Sequence, residues 1–213
     1  MQQYQPSGNQ QQMIVDSFQS ATYVGDRMDV QHTPLYDTTT LAAAATVSPL
    51  TMNFFSQVGP QSGKTLAQTN MTQSQRLQAP EAFSIFGIRL RWSENILPAD
   101  LYAILGNGST TTGFALSLIL GQKRYQLAPL WYFSAGGGIF ASGITVSSQS
   151  FLANGVPTRE AMHKLAIPIV IENQTTFSAQ FEGNSYVLTA GASGGTGVTF
   201  TLLLDGLYAR GVQ

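Results

Sequence analysis

From about residue 50 onward, apolar and polar side chains alternate in short runs separated by turn-forming residues. Met52, Phe54, Ser56 and Val58 alternate with Asn53, Phe55 and Gln57. Phe86, Ile88, Leu90 and Trp92 share one side of a second run, with Gly87, Arg89 and Arg91 on the other. Phe177, Ala179 and Phe181 alternate with Ser178, Gln180 and Glu182. The cleanest alternation lies near the C-terminal end, where Val198, Phe200, Leu202 and Leu204 interleave with Thr199, Thr201, Leu203 and Asp205. A period of two held over about four to eight residues predicts half-buried strands. Residues 116–120 and 165–171 are apolar more continuously, which predicts strands near the middle of a sandwich. Pro168 inside the second of these predicts an edge or a bulge, because proline cannot donate to a ladder.

Turn chemistry separates the runs. Gly121-Gln122-Lys123 predicts a tight hairpin, and Glu172-Asn173-Gln174 and Gly183-Asn184-Ser185 predict two more. One short helix is expected, with Pro98 in its first turn, Ala99 to Leu105 as its body and Gly106 as its stop. About eight strands with few helices point to an all-β antiparallel sandwich or barrel.

The first 48 residues read differently. Residues 1–12 hold six glutamines and no charge, two weakly apolar stretches follow at 13–18 and 21–24, and 25–40 is polar and turn-prone. Residues 41–46 could make a helical turn or two, too short to stand alone. The division expected is therefore an N-terminal arm over 1–48, extended or ordered by what it lies against, and a β sandwich over 49–213.

Composition narrows the function. Charged residues make up 10% of the chain, against about 25% in an ordinary globular protein, while hydrophobic residues stand at 43% and the net charge is −1. Without a basic excess, specific nucleic-acid binding is not expected. There is no cysteine and there are only two histidines, His32 and His163, so thiolate chemistry is excluded and metal or acid–base chemistry is poorly supplied. No cofactor, metal or catalytic residue is expected. Residues 1–12 lack the basic start and apolar core of a secretory signal, and glycines and serines interrupt 129–146, the longest candidate for a membrane span. Residues 125–158 and 183–204 contain no Asp, Glu, Lys or Arg at all. A soluble monomer normally keeps charge on its surface; faces that cost so little to desolvate suit a subunit packed against copies of itself.

The motifs mostly reduce to structure. Gly59-Pro60-Gln61-Ser62-Gly63-Lys64-Thr65 has three residues between its first Gly and the Gly-Lys pair where a phosphate loop needs four, so it predicts an ordinary connection. The glycine run 136–138 and the loop 191–197 lack dinucleotide spacing. His163 is expected at the surface or in an interface, on a polar turn before a strand. Glu94, Asp100 and Asp205 could pair in space, although nothing local predicts an acid–base couple. Trp92, Trp131, Tyr132 and Phe133 could form a sugar-stacking platform, with core or subunit contact the alternative use.

Thr65-Leu66-Ala67-Gln68-Thr69-Asn70, the stretch Pro80-Glu81-Ala82-Phe83-Ser84-Ile85-Phe86-Gly87-Ile88 and the run 198–207 sit in an organisation that resembles the jelly-roll coat proteins of viruses. It is most similar to the small single-jelly-roll capsid proteins of tailless icosahedral phages, many of which carry an internal membrane. The resemblance covers about residues 50–210, rests on pattern, and brings no functional residues with it. It implies an eight-stranded antiparallel jelly roll with 52–58 beside 198–207, and loops 59–80, 106–113, 134–143 and 191–197 free to touch neighbours. It implies a structural virion subunit without catalysis, assembled in the host cytoplasm. The implied partners are copies of itself, other capsid or penton proteins, and an internal lipid membrane. Removal of residues 1–40 should then spare the sandwich and impair assembly. A fibre, receptor-binding or carbohydrate-binding sandwich is the alternative.

Overall fold

The alternation at the C-terminal end builds the central element of the molecule, a fourteen-residue strand, β14 (Val198–Gly211). In this computed structural model, residues 28–42, 45–47, 52–59, 62–93, 95–106, 113–135, 140–142, 150–154, 162–188 and 197–211 are described. Val198, Phe200, Leu202 and Leu204 are buried, as their spacing predicts. Along one edge β14 pairs antiparallel with β5 (Ala82–Trp92). Along the other it pairs with β1 (Met28–His32) and then β2 (Leu35–Leu41). β11 (His163–Ile171) completes this sheet beside β5, in the order β1/β2, β14, β5, β11.

A second sheet has the order β4 (Asn53–Phe54), β12 (Phe177–Gly183), β7 (Phe114–Leu120), β8 (Lys123–Pro129). The two sheets meet through aromatic side chains. The Phe181 ring of β12 lies 5.1 Å from Phe200 of β14, and Trp92 of β5 lies 4.9 Å from Phe200. Phe54 adds a third edge-on contact at 5.4 Å from Phe181. Such edge-to-face pairs contribute about 0.5–1.5 kcal/mol beyond the area they bury. The described ladders are antiparallel, and the strands of the two large sheets mostly alternate between them in chain order: β2, β4, β5, β7, then β8 in the same sheet as β7, then β11, β12 and β14. Two small sheets flank them. β3 (Thr46–Val47) pairs with β13 (Tyr186–Val187), and β6 (Asn95–Ile96), β10 (Ser150–Ala153) and β9 (Phe140–Ser142) form the other. The described helix, α1 (Pro98–Leu105), starts at Pro98 and ends where Gly106 turns to a φ of 73°, its N–H reaching the Tyr102 carbonyl at 3.0 Å.

Several expectations are corrected. The strand beside β14 is 35–41, not 52–58; the latter yields only the two-residue β4, paired with β12. Phe55, at a φ of 63°, breaks the alternation, so that Phe54 and Phe55 are both fully buried. Residues 28–47, assigned by composition to the arm, therefore supply strands β1, β2 and β3, while 1–27 lie outside the described residues. The Ala45 N–H donates to the Ala42 carbonyl at 3.1 Å, Leu41 and Thr46 belong to β2 and β3, and residues 43–44 of the expected helical turn lie outside the described residues. Phe86 is not on the inward face. Asp205 faces Gly87 and Gly206 faces Ile85, so Phe86 is an extra residue that shifts the buried phase from Phe83 and Ile85 to Ile88, Leu90 and Trp92. Among the described residues β11 is an edge rather than a middle strand, as Pro168 predicts, and its pairing slips between Lys164 and Ile169, the stretch that holds Pro168. The 121–122 turn does close a hairpin, β7 to β8. Turn 172–174 instead carries the chain from one sheet to the other, and 183–185 leads β12 into a strand paired elsewhere.

Candidate functional site

The loop that resembles a phosphate cradle folds back on β2. Asp37 points inward from that strand and is fully buried. Its carboxylate accepts the Lys64 ammonium at 2.8 Å and the Phe55 backbone N–H at 2.7 Å. Lys64 is thus committed to a buried ion pair, not to a ligand. Asn70 is committed too, accepting from the Tyr36 N–H at 3.0 Å and donating to the Pro34 carbonyl at 2.8 Å.

The other charged groups also have local work. Arg89 grips Asp205 with two guanidinium nitrogens across the β5–β14 pairing, the Nε contact at 2.6 Å. The Tyr186 hydroxyl donates to Asp100 of α1 at 2.8 Å. Asp100 and Asp205 are thus held by different partners, and Glu94 lies outside the described residues. Glu182 accepts hydrogen bonds from the Arg124 guanidinium at 2.7 Å and the Gln180 amide at 3.4 Å. His32 and His163 stand on β1 and β11, at opposite edges of one sheet. Among the described residues no group of three or more His, Asp or Glu could hold a metal ion, and no helix is long and apolar enough to cross a membrane.

One cleft, of about 210 Å³, opens where β1 passes into β2. Buried Leu35, Met71 and Leu77 line it together with Gln31, Arg76, Glu81 and Tyr208. Burial and the neighbouring Glu81 carboxylate raise the Tyr208 phenol above its usual range, so it remains a neutral hydrogen-bond donor. The cleft has an apolar floor and a mixed rim without excess of either charge.

The aromatic residues divide. Trp92 is buried in the core and takes no part in any surface platform. Residues 130–133 form a single 3-10 turn directly after β8; it buries Leu130 and Phe133 and leaves Trp131 and Tyr132 about half exposed. Tyr132 and Phe133 bracket His163 at ring distances of 4.3 and 5.3 Å, tying the end of β8 to the start of β11. Burial there lowers the His163 pKa from its usual value. The histidine therefore starts a strand rather than sitting on a turn before it. Trp131 and Tyr132 stand edge to face at 88°, which offers two separate ring surfaces and not one flat platform.

The alternation did not single out Tyr125, Leu127 and Ile167, yet all three are exposed on the edge strands β8 and β11. For Tyr125 and Leu127 the signal was the place where charge stops: Lys123 and Arg124 open β8, and none follows until Arg159. No protein-family model, curated protein or solved structure matches this chain. The flank carrying these side chains is the candidate functional surface.

Proposed function

We propose that this protein is a coat subunit, a jelly-roll sandwich that self-associates through neutral flanks to build an icosahedral virion shell. The observation that carries the reading is the pairing of strand order with surface. The sheet orders β1/β2-β14-β5-β11 and β4-β12-β7-β8 support reading the sandwich as a double Greek key of eight principal strands, the arrangement used by viral capsid and lectin domains. At the flank of β8 and β11 the apolar Tyr125, Leu127 and Ile167 are exposed, beside Lys123, Arg124 and Lys164 at the starts of those strands. Copies of the chain are the first partners expected. Other capsid or vertex proteins and a lipid layer would be further ones.

Size-exclusion chromatography with light scattering, followed by electron microscopy, tests the reading. Closed particles or discrete oligomers are expected as concentration rises. A strictly monomeric protein at millimolar concentration across a range of salt would overturn it.

The exposed Trp131 and Tyr132 favour a second reading, a carbohydrate-binding sandwich. Glycan-array binding that disappears in Trp131→Ala while the fold survives would select it over the coat subunit.

A further inference from the structure

Two opposite charges line the cleft beside β1 and β2 without neutralising one another. Arg76 and Glu81 both belong to its wall. Among the described residues neither is in an ion pair, whereas Lys64, Arg89, Arg124 and Arg210 each hold a carboxylate. In a chain with only ten Lys and Arg and eleven Asp and Glu, an unpaired cation and an unpaired anion at one opening stand out. We propose that this cleft binds a small zwitterion with an apolar side chain, of the class of the free aliphatic and thioether α-amino acids, with its carboxylate on Arg76 and its ammonium on Glu81. The proposal is independent of self-association and needs no second copy of the chain.

The walls of the cleft are held from several sides. Asn70 clamps the bend between β1 and β2, accepting from the Tyr36 N–H and donating to the Pro34 carbonyl. Arg76 stands between two tethered residues. The Gln75 N–H donates to the Phe55 carbonyl at 2.8 Å, the Gln75 carbonyl accepts the Phe177 N–H at 2.8 Å, and the Leu77 carbonyl accepts the Gln174 N–H at 3.1 Å. Gln75 also has a φ of 56°, a left-handed backbone that is costly for a residue other than glycine and that clusters at ligand clamps. Glu81 is fixed on a tight turn. Its N–H donates to the Gln78 carbonyl at 2.7 Å, and its Oε2 accepts the Gln78 N–H at 3.1 Å. The backbone under both charges is therefore set before a ligand arrives, which lowers the ordering cost of binding.

Size and lining select the ligand. The cleft holds about 210 Å³ over buried Leu35, Met71 and Leu77, more than the cavity of about 150 Å³ that accommodates benzene. In proportion it takes about eight or nine non-hydrogen atoms, the size of leucine or methionine. An aliphatic or thioether side chain covers the apolar floor. A guanidinium grips a carboxylate through two parallel hydrogen bonds, and an ammonium offers its donors to a carboxylate that can only accept. Tyr208, opposite Gln31 in the β1–β14 ladder, adds a neutral phenol to the lining and no third charge. A simple anion would meet the repulsion of Glu81, and a simple cation that of Arg76. A ligand carrying both charges satisfies both.

The test uses the full chain in saturation-transfer difference NMR, with L-leucine and L-methionine at millimolar concentration. They are compared with N-acetyl-L-leucine, which lacks the cation, and L-leucinamide, which lacks the anion. The expected result is saturation transfer to the side-chain methyls of both amino acids, with affinity lower by about tenfold or more for each blocked analogue. Arg76→Gln and Glu81→Gln should each weaken leucine by a similar factor. Lys123→Gln, which removes an exposed lysine on β8, should leave it unchanged. Arg76 is itself exposed, so its substitution spares the core, and the analogue series on wild type does not depend on any variant folding. No transfer to either amino acid overturns the site. Binding of N-acetyl-leucine as tight as that of leucine overturns the zwitterion in favour of an anion, and equally tight leucinamide overturns it in favour of a cation such as a chain N-terminus. Leucine affinity that survives both charge variants, or that falls equally in Lys123→Gln, overturns the assignment to this cleft.

Discussion

Asp37 and Lys64 form an ion pair at 2.8 Å in which the carboxylate is fully buried and the ammonium side chain is 15% exposed. The same carboxylate receives the Phe55 N–H at the residue whose left-handed backbone lets two consecutive phenylalanines enter the core. One acidic side chain on β2 thus holds two points of the loop between β4 and β5, its first residue Phe55 and Lys64 further along.

Removing the cation leaves that carboxylate buried without its counter-charge, which costs about 3–5 kcal/mol. Lys64→Ala should lose that much stability in urea denaturation, while Lys64→Met combined with Asp37→Asn should lose less than the single change. A loss below about 1 kcal/mol in Lys64→Ala would mean that water reaches Asp37.

Gly206 occupies a place that admits no side chain. A Cβ built there would lie 2.1 Å from the Ser84 carbonyl oxygen and 2.7 Å from the Phe83 ring, beside the bulge at Phe86. Neither backbone nor a buried ring can yield cheaply, so Gly206→Ala should destabilise by at least the 1–3 kcal/mol typical of overpacking, about that range or above. An unchanged melting temperature would show that β5 and β14 can slide apart locally.

His163 should make stability depend on pH. Burial lowers its pKa in the folded chain, so the folded state favours the neutral ring between Tyr132 and Phe133. A depressed pKa contributes stability that is present above the unfolded value of about 6.5 and is lost as pH falls through the folded value. Chemical denaturation at pH 8, 6 and 5 should show wild type losing stability relative to His163→Phe, which keeps a ring and cannot be protonated. A difference constant over that range would remove His163 from the acid response.

Much of this architecture was legible because β12 and β14 alternate cleanly, each with one buried and one wetter face. The helix 98–105 was legible from proline at its start and glycine at its end. β2 was hidden because its inward positions include Asp37 and Thr39 among leucines, so hydrophobic period two never registers. Its outward Thr38 and Thr40 instead meet Thr201 and Thr199 through hydroxyl pairs at 3.0 Å, a partnership that only a long-range pairing creates. Phe86 misled for a related reason: a bulge conserves composition and reverses facing, and a single strand's pattern carries no sign of its partner's register. The aromatic flank was half legible. The absence of charge was visible in the sequence, while the edge position of β8 and β11 arises only when the sheets close.

Truncation separates the two parts of the N-terminal region. Removing residues 1–27 takes away none of the described strands, so the chain 28–213 is expected to fold, with assembly impaired if the missing segment works between subunits. Removing 1–40 is different, contrary to the expectation from composition. It deletes β1 and nearly all of β2, which together flank Leu207–Gly211 and Val198–Leu204, leaving the central strand β14 without a strand partner along nearly all of one edge. It also removes buried Leu35, uncouples Leu41 from its strand, and strands Lys64 without Asp37. Burial of the two leucines alone is worth about 3–6 kcal/mol, against a total stability of about 5–15 kcal/mol for a typical domain. The chain 41–213 should therefore show no cooperative melt and behave as Leu202→Asp does, where a charge is forced onto the fully buried face of β14. A sharp thermal transition in 41–213 would mean that β2 is a dispensable edge and that the sandwich begins after it.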